Sequence, residues 1–308
     1  MLLISYIVKK ITQKYMPSRQ EGTPYLKYLT EDDFSDWKSE PFSFKRNKLV
    51  LRGRKYWCVD KPKAILIFFH GMGNGHYSYT TEIHSFAKQG YLVYAYDNAY
   101  CGKSDGKGFW SLSSSLLDQK AFFAYLDEQE DLKDLPRYSV GHSWGGFTAL
   151  CSLQEQYKVE KVISISGFDN VVHAYITMIP DLKKHQKIMR IAQRRYFGKL
   201  GVIDAKDLLD KTDKKVLFIS GDEDKTVSYT EMFLKLKERY QEKKNFSFLV
   251  SPGRAHQAYM SMSAQNYYTD LMNRGVMEGK LVNEELSIPR LTEEDQDVMN
   301  AMYKFLED

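Results

Sequence analysis

Gly141-His142-Ser143-Trp144-Gly145 is a G-x-S-x-G pentapeptide that stands between an apolar run, 138–140, and a helix-like stretch, 147–153. This context predicts a sharp strand-to-helix turn with the serine at its apex. Glycines flank the serine because bulky neighbours would collide with the elements on either side of so tight a turn. Ser143 is therefore the candidate nucleophile.

Continuous apolar runs recur along the chain with helical patterns between them, which is typical of strands buried on both faces of a parallel sheet. The predicted strands are 64–69, 91–96, 138–140, 161–166, 216–220 and 246–250, and the predicted helices are 78–89, 113–129, 145–157 and 228–241. The alternation predicts an α/β fold with a mostly parallel central sheet flanked by helices.

Three segments depart from this alternation. Residues 48–59 suggest an antiparallel hairpin that turns near Gly53, and residues 168–212 hold a long helical pattern without a strand, which we interpret as a small helical lid. We expect an N-terminal extension over 1–47 and one α/β domain over 48–308 that contains this lid. The serine-rich segment 111–115 is expected to cap a helix.

Acidic residues and a histidine follow the last two predicted strands. Asp222 and Asp224 lie in the loop after 216–220, and His256 lies in the loop after 246–250. A serine hydroxyl needs a histidine to take its proton and a carboxylate to orient that histidine. The chain order Ser, Asp, His suits loops that meet at the carboxyl ends of parallel strands.

An anionic tetrahedral intermediate also needs backbone N–H donors. We expect one from Trp144, the residue after the nucleophile, and one from Met72, in the glycine-rich loop 70–75 after the first long strand. The substrate site is expected to include residues of this loop, of the elbow and of the lid: His70, Gly71, His142, Tyr175 and Met178.

Taken together, these motifs resemble the α/β-hydrolase superfamily, and more narrowly the serine hydrolases related to monoacylglycerol lipases, lysophospholipases and serine aminopeptidases. The resemblance runs from about residue 49 to His256 and includes His76, Tyr79 and the loop 102–106. The family places its acid three residues after the loop glycine, which implies Asp224.

The chain departs from the family pattern in two places. Tyr100 stands where the family usually has glycine, and 52 residues follow His256, more than a single closing helix needs. We therefore expect an extended C-terminal segment with a helix over 292–305.

Composition excludes several other functions. The formal net charge is +4, and the densest basic stretch, Lys183 to Arg195, is predicted to be a solvated helix face, although a weak anionic-surface role stays open. We expect no nucleic-acid partner, no cofactor and no metal, because His76 breaks a dinucleotide-binding glycine pattern and no cluster of metal ligands occurs. The oligomeric state stays open.

The cysteines and the N-terminus bear on location. Cys58, Cys101 and Cys151 are odd in number and widely spaced, which favours a reducing compartment. The apolar segment 1–8 is too short to cross a bilayer and lacks signal-peptide features. We therefore expect a cytoplasmic protein with at most peripheral membrane contact.

The resulting hypothesis is a serine hydrolase that cleaves short-to-medium acyl esters or monoacylglycerols through an acyl-enzyme intermediate. Aminopeptidases and thioesterases use the same triad, and a non-catalytic binding protein can share the fold, so these alternatives stay open.

Overall fold

Eight β-strands organise the chain, which is described by a computed structural model over residues 26–73, 75–107, 111–276 and 286–308. The strands are β1 Lys38–Arg46, β2 Leu49–Trp57, β3 Ile65–Phe69, β4 Leu92–Tyr96, β5 Arg137–His142, β6 Val159–Ile165, β7 Lys215–Gly221 and β8 Phe246–Ser251. They form one sheet in the order β1-β2-β4-β3-β5-β6-β7-β8, antiparallel at β1 and β2 and parallel from β4 to β8. The predicted mostly parallel sheet is confirmed.

Helices flank this sheet, as predicted. They are α1 Thr80–Lys88, α2 Ser114–Asp127, α3 Trp144–Cys151, α4 Val171–Met178, α5 Gln186–Phe197, α6 Ala205–Leu209, α7 Lys235–Tyr240, α8 Met262–Asn273, α9 Ile288–Leu291 and α10 Gln296–Glu307. Short 3-10 helices cover Glu31–Asp33, Gly75–Tyr79, Glu130–Leu132, Glu155–Tyr157, Pro180–His185 and Gly198–Val202, and a π-helical segment, Tyr229–Leu234, precedes α7.

The position predicted for the hairpin is wrong, because its two strands are β1 and β2 and the turn comes earlier in the chain. Its turn lies at Asn47, which has a φ of 54°, and not near Gly53. Gly53 sits inside β2, where a Cβ would lie 2.3 Å from the carbonyl oxygen of Ala95, so the missing side chain lets β2 approach β4 closely. The sheet accordingly begins at Lys38, inside the segment assigned to an N-terminal extension. The apolar segment 1–8 lies outside the described residues.

Two apolar layers cover the faces of the sheet. Alternate side chains of β3 separate them: Ile65 and Ile67 point to one layer, and Leu66 and Phe68 point to the other. The first layer includes residues of α2, α3, α6 and α7, and the second includes residues of α1 and α10. Burial on both faces explains why these strands read as continuous apolar runs.

The chain after His256 forms more than one closing helix, as expected from its length. Helices α8, α9 and α10 follow it, and α10 falls where a helix was predicted over 292–305. Asp295 caps α10 by accepting hydrogen bonds from the N–H groups of Asp297 and Val298. Among the described residues, no helix is both long and apolar enough to cross a bilayer.

Candidate active site

Ser143 occupies a strained turn between β5 and α3. Its φ is 57° and its ψ is −117°, and its N–H donates to the carbonyl of Ile165 at 2.8 Å. Gly145 cannot carry a side chain beside this turn, because a Cβ there would lie 1.8 Å from the carbonyl oxygen of Phe69. The turn holds the hydroxyl at the carboxyl edge of the sheet.

His256 links the serine to a carboxylate. Its Nε2 lies 2.8 Å from Oγ of Ser143, and its Nδ1 lies 2.8 Å from Oδ2 of Asp224. The other oxygen of Asp224, Oδ1, accepts hydrogen bonds from the N–H groups of Thr226 and Val227, at 2.9 and 3.0 Å. The loop thereby holds the buried carboxylate with one oxygen aimed at the imidazole.

Asp222, the other acidic candidate, does not contact the imidazole. Its Oδ1 accepts from the N–H of Gly253 at 2.7 Å, and the N–H of Glu223 donates to the carbonyl of Arg254. These bonds join the loop after β7 to the loop after β8. Asp222 therefore braces the two loops, while Asp224 reaches His256.

A second histidine orients the predicted oxyanion loop. His70 is buried, its Nε2 accepts from the N–H of Asn98 at 2.9 Å, and its Nδ1 donates to the carbonyl of Gly71 at 2.5 Å. Burial lowers the pKa of His70, which keeps the ring neutral, and the bond to the carbonyl of Gly71 places its proton on Nδ1. Because the carbonyl and the next N–H of a trans peptide point in opposite directions, the N–H of Met72 points away from His70.

Gly71 brings this loop against the nucleophile. A Cβ on Gly71 would lie 3.4 Å from Cβ of Ser143, so the loop passes close to the serine. Trp144 is the first residue of α3, where backbone N–H groups point out of the helix. The two predicted oxyanion donors thus belong to the two segments that meet at Ser143.

His142 and Tyr79 form a hydrogen-bond relay behind the serine. The N–H of Gly71 donates to the hydroxyl oxygen of Tyr79 at 3.0 Å, the Tyr79 hydroxyl donates to Nδ1 of His142 at 2.8 Å, and Nε2 of His142 donates to the carbonyl of His256 at 2.9 Å. Burial lowers the pKa of His142 to about 3, so its ring stays neutral, as this relay needs.

The relay gives His142 a different placement from the substrate contact predicted for it. Both of its ring nitrogens are used inside the protein, and its side chain is buried. Tyr79 was noted only as part of the family motif. Sequence reasoning missed the relay because its members are 63 and 114 positions apart in the chain, with no local pattern to connect them.

A buried carboxylate shapes the wall beside the oxyanion loop. Asp97, at the end of β4, accepts from Nδ1 of His76 at 2.7 Å and from the N–H of Lys103 at 2.7 Å. Tyr100 lies in the loop that this carboxylate holds and has a φ of 72°. That left-handed conformation explains why glycine suits the position and why tyrosine there carries a cost of about 1 kcal/mol or more.

The predicted lid residues lie in the helices of 168–212. Tyr175 of α4 is buried, and its hydroxyl accepts from the N–H of Leu112 at 3.1 Å and donates to Oγ of Ser111 at 3.3 Å. Met178 packs at the edge of an apolar cluster that contains Trp144 and Phe168. The structure therefore places Tyr175 as a link between the insertion and the loop before α2.

The serine-rich segment 111–115 also connects the insertion to the loop before α2. The hydroxyls of Ser111 and Ser113 both donate to Oε1 of Gln193 in α5, each at 2.9 Å. The expected capping is wrong, since Ser113 is the N-cap of α2 but its side chain makes no capping bond. The carbonyl of Leu112, between the two serines, accepts from the indole Nε1 of Trp144 at 2.7 Å.

The two ends of the insertion are tied at its base. Asp169 accepts from Nδ1 of His173 at 2.8 Å and from Nζ of Lys206 at 2.5 Å, and its carbonyl accepts from the N–H of Ala205. Burial opposes ionisation of Asp169, but these hydrogen bonds lower its pKa below the ordinary value. Chain entry and chain exit are thereby joined beside the site.

Comparisons with known proteins bear on the family of this chain. A model of the family described as serine aminopeptidase, S33, matches residues 60–216, just over half of the chain. Phospholipase YtpA from Bacillus subtilis (strain 168) is 27% identical over 106 residues, which is 32% of this chain and 38% of that protein. The chain thus aligns with well under half the length of this curated relative.

Solved structures share the fold of this chain. The Pyrococcus furiosus esterase Pf2001 superposes with a TM-score of 0.61 at 18% sequence identity, covering 94% of this chain and 98% of that one. Est1E from Butyrivibrio proteoclasticus, solved with ferulic acid bound, gives a TM-score of 0.55 at 22% identity, covering 78% and 98%. At these identities the likeness shows a common fold.

Proposed function

Because the chain belongs to the α/β-hydrolase family described as serine aminopeptidase, S33, we propose that it hydrolyses carboxylic esters through an acyl-enzyme on Ser143. The observation that carries the proposal is the line of hydrogen bonds from Asp224 through His256 to Ser143. A buried serine hydroxyl in a strained turn, bonded to an imidazole that a carboxylate orients, is arranged for nucleophilic attack.

In the proposed reaction, Oγ of Ser143 attacks the ester carbonyl while Nε2 of His256 takes the hydroxyl proton. Asp224 keeps the other imidazole proton on Nδ1 and stabilises the imidazolium. The N–H groups of Met72 and Trp144 bind the oxyanion, which contributes several kcal/mol to lowering the barrier. His256 then protonates the leaving alcohol, and a water molecule, activated by the same imidazole, releases the acid and restores Ser143.

The apolar cluster beside Ser143 supports an acyl substrate of short to medium length or a monoacylglycerol. It joins Trp144 of the elbow to Phe168, Val171 and Met189 of the insertion. An acyl chain in such surroundings gains about 0.8 kcal/mol per buried methylene. The names of a phospholipase and an esterase among the similar proteins agree with an ester substrate.

The test compares Ser143→Ala with a matched control, Ser43→Ala, at an exposed position of β1. Fluorophosphonate labelling and hydrolysis of p-nitrophenyl esters should be lost only in Ser143→Ala, by about 10⁴- to 10⁶-fold in rate. Across esters from acetate to laurate, kcat/KM should rise and then break at one chain length. Retained activity in Ser143→Ala contradicts the proposal, and faster cleavage of aminoacyl amides than of every ester replaces it with aminopeptidase activity.

A further inference from the structure

The outer face of the insertion concentrates the positive charge of the molecule. Residues 181–199 contain seven cationic side chains against one acidic residue, Asp181, a formal +6 in a chain whose net charge is +4. The remaining residues therefore sum to a net negative charge. The basic face, as we call it, consists of Lys183, Lys184, Lys187, Arg190, Arg194, Arg195 and Lys199, all exposed.

The cations of the basic face lack internal counter-ions. Within the part of the chain that the structure describes, none of them forms an ion pair with a carboxylate. Elsewhere exposed helix cations do pair, as Lys235 does with Glu231 and Arg239 with Asp210. The hydrogen bond from Lys235 is the main cause of the lowered pKa of Glu231, and the charge of Lys183 contributes least. An unpaired cluster of one sign attracts anions over several ångströms.

An aliphatic side chain stands at the centre of these charges. Ile191 is 57% exposed, and helical spacing surrounds it with Lys187 four residues before, Arg194 three residues after and Arg195 four residues after. The opposite side of α5 is buried through Met189, Ala192 and Gln193. The helix therefore presents an exposed apolar residue inside a ring of cations.

We infer that the basic face of α5 docks the enzyme on an anionic phospholipid surface. The cations are opposite in sign to the anionic headgroups and attract them, and the aliphatic stems of arginine and lysine let Ile191 approach the acyl boundary. A nucleic acid offers phosphates but no apolar layer for an exposed isoleucine, so the combination favours lipid. Tyr196, 43% exposed at the end of the same helix, has the amphipathic ring that membrane interfaces accept.

The buried side of α5 connects this surface to the nucleophile. Gln193 accepts from Ser111 and Ser113, and Leu112 between them accepts from the Trp144 indole. A headgroup bound on the exposed side of α5 is therefore separated only by this helix from segment 111–113, which accepts the hydrogen bond from Trp144. The inference that docking delivers lipid esters to Ser143 rests on the proposed function. The inference that the basic face binds an anionic lipid surface does not.

Vesicle binding by the full chain carrying Ser143→Ala tests docking without catalysis. The protein should sediment with phosphatidylcholine vesicles that contain phosphatidylglycerol, and only weakly with phosphatidylcholine alone or at about 0.5 M salt. Replacing Arg190, Arg194 and Arg195 with glutamine should lower the partition coefficient about fivefold per charge, roughly a hundredfold in total. Ile191→Ser should lower it severalfold with the charges intact.

The matched control removes the same charge elsewhere. Lys120, Lys211 and Lys244 are exposed, and replacing all three with glutamine should leave binding within about twofold of the parent. Equal loss in this control overturns the inference in favour of general charge attraction. No vesicle binding by the parent, unchanged binding in the arginine variant or in Ile191→Ser, or binding of an acidic peptide in preference to vesicles also overturns it.

Kinetics with an active enzyme separate docking from catalysis. The arginine variant should hydrolyse p-nitrophenyl acetate at the parent rate and lose at least tenfold in kcat/KM on monoacylglycerol carried in anionic vesicles. Loss on both substrates contradicts a docking role. Failure of the parent on every ester contradicts the proposed function and leaves the vesicle-binding result standing on its own.

Discussion

The candidate active site at the carboxyl edge of the sheet and the basic face differ in how their polar groups are satisfied. At the edge, His70, His142 and Asp224 are buried, and each uses its ring nitrogens or carboxylate oxygens inside the protein. On the basic face, the charged groups are exposed and pair with no carboxylate of the described chain. Burial makes an unpaired polar group costly, whereas exposure leaves it available to a ligand. The polar groups of the candidate active site are therefore held in place by the protein itself, whereas those of the basic face are available to bind a partner.

The strongest test of this difference replaces each of the two acids of the loop after β7 in turn. Asp224→Asn should lower kcat by about 10⁴-fold, because an amide cannot hold the imidazole tautomer that Ser143 needs. Asp222→Asn, the matched control, should cost less than about tenfold, since Asp222 only braces Gly253. Steady-state ester hydrolysis measures both, and equal, mild losses would show that neither carboxylate orients His256.

Removing one atom from the relay should have a smaller effect. Tyr79→Phe leaves the N–H of Gly71 and Nδ1 of His142 without a partner, so both the oxyanion loop and the backbone of His256 lose a restraint. We expect kcat to fall roughly tenfold to a hundredfold with KM for a small ester little changed.

The control for this variant is Tyr91→Phe, because the Tyr91 ring is buried but its hydroxyl has no hydrogen-bond partner among the described residues. A kcat in Tyr91→Phe close to the parent, together with circular dichroism of both variants, separates positioning from loss of fold. A full rate in Tyr79→Phe would make the relay structural only.

Gln193 lies where the two regions meet, and its replacement should affect stability more than chemistry. Gln193→Leu leaves the buried Ser111 hydroxyl without an acceptor and the Ser113 hydroxyl with only the carbonyl of Gly201 at 3.5 Å, at a cost of about 1–3 kcal/mol. The midpoint of urea unfolding should fall accordingly. The triple variant in which both serines are also alanine should regain part of the loss, and no recovery would show that the hydrogen bonds are not its cause.

The smallest effect is expected from a buried carboxyl pair at the C-terminal segment. Burial and the mutual repulsion of Glu82 and Glu294 raise the pKa of Glu82 well above its ordinary value, and burial raises the pKa of Glu294 to about 7. A raised carboxyl pKa means that the folded protein binds protons more tightly than the unfolded chain. Stability from this pair is therefore present at low pH and is lost as pH rises from about 4.5 towards 7 and above.

Glu294→Gln should remove part of that loss. The variant should match the parent in stability near pH 5. Near pH 8 its free energy of unfolding should exceed that of the parent by an amount on the order of 1 kcal/mol, which raises its melting temperature. The hydrogen bond from Ser85 to Glu294 can be retained by the amide oxygen. Thermal unfolding across this range checks the sign, and a variant that is less stable at high pH than the parent refutes the account.

Local sequence patterns anticipated the elements that local physics dictates. The elbow at Ser143, the continuous apolar strands and the loops that carry Asp224 and His256 follow from glycine placement and periodicity. The Tyr79–His142 relay and the partner of Gln193 did not follow, because they join residues far apart in the chain. The prediction of a turn near Gly53 failed for a related reason: glycine is needed there because the neighbouring strand β4 leaves no room for a side chain.

The separation of the site residues along the chain also bears on folding kinetics. The bond between His256 and Ser143 spans 113 positions, and it exists only when β5, β7 and β8 have found their register. Closing loops of that length is entropically costly and slow, so such contacts form late. Recovery of esterase activity after dilution from denaturant should lag behind recovery of helical circular dichroism, and the lag would time the completion of the sheet.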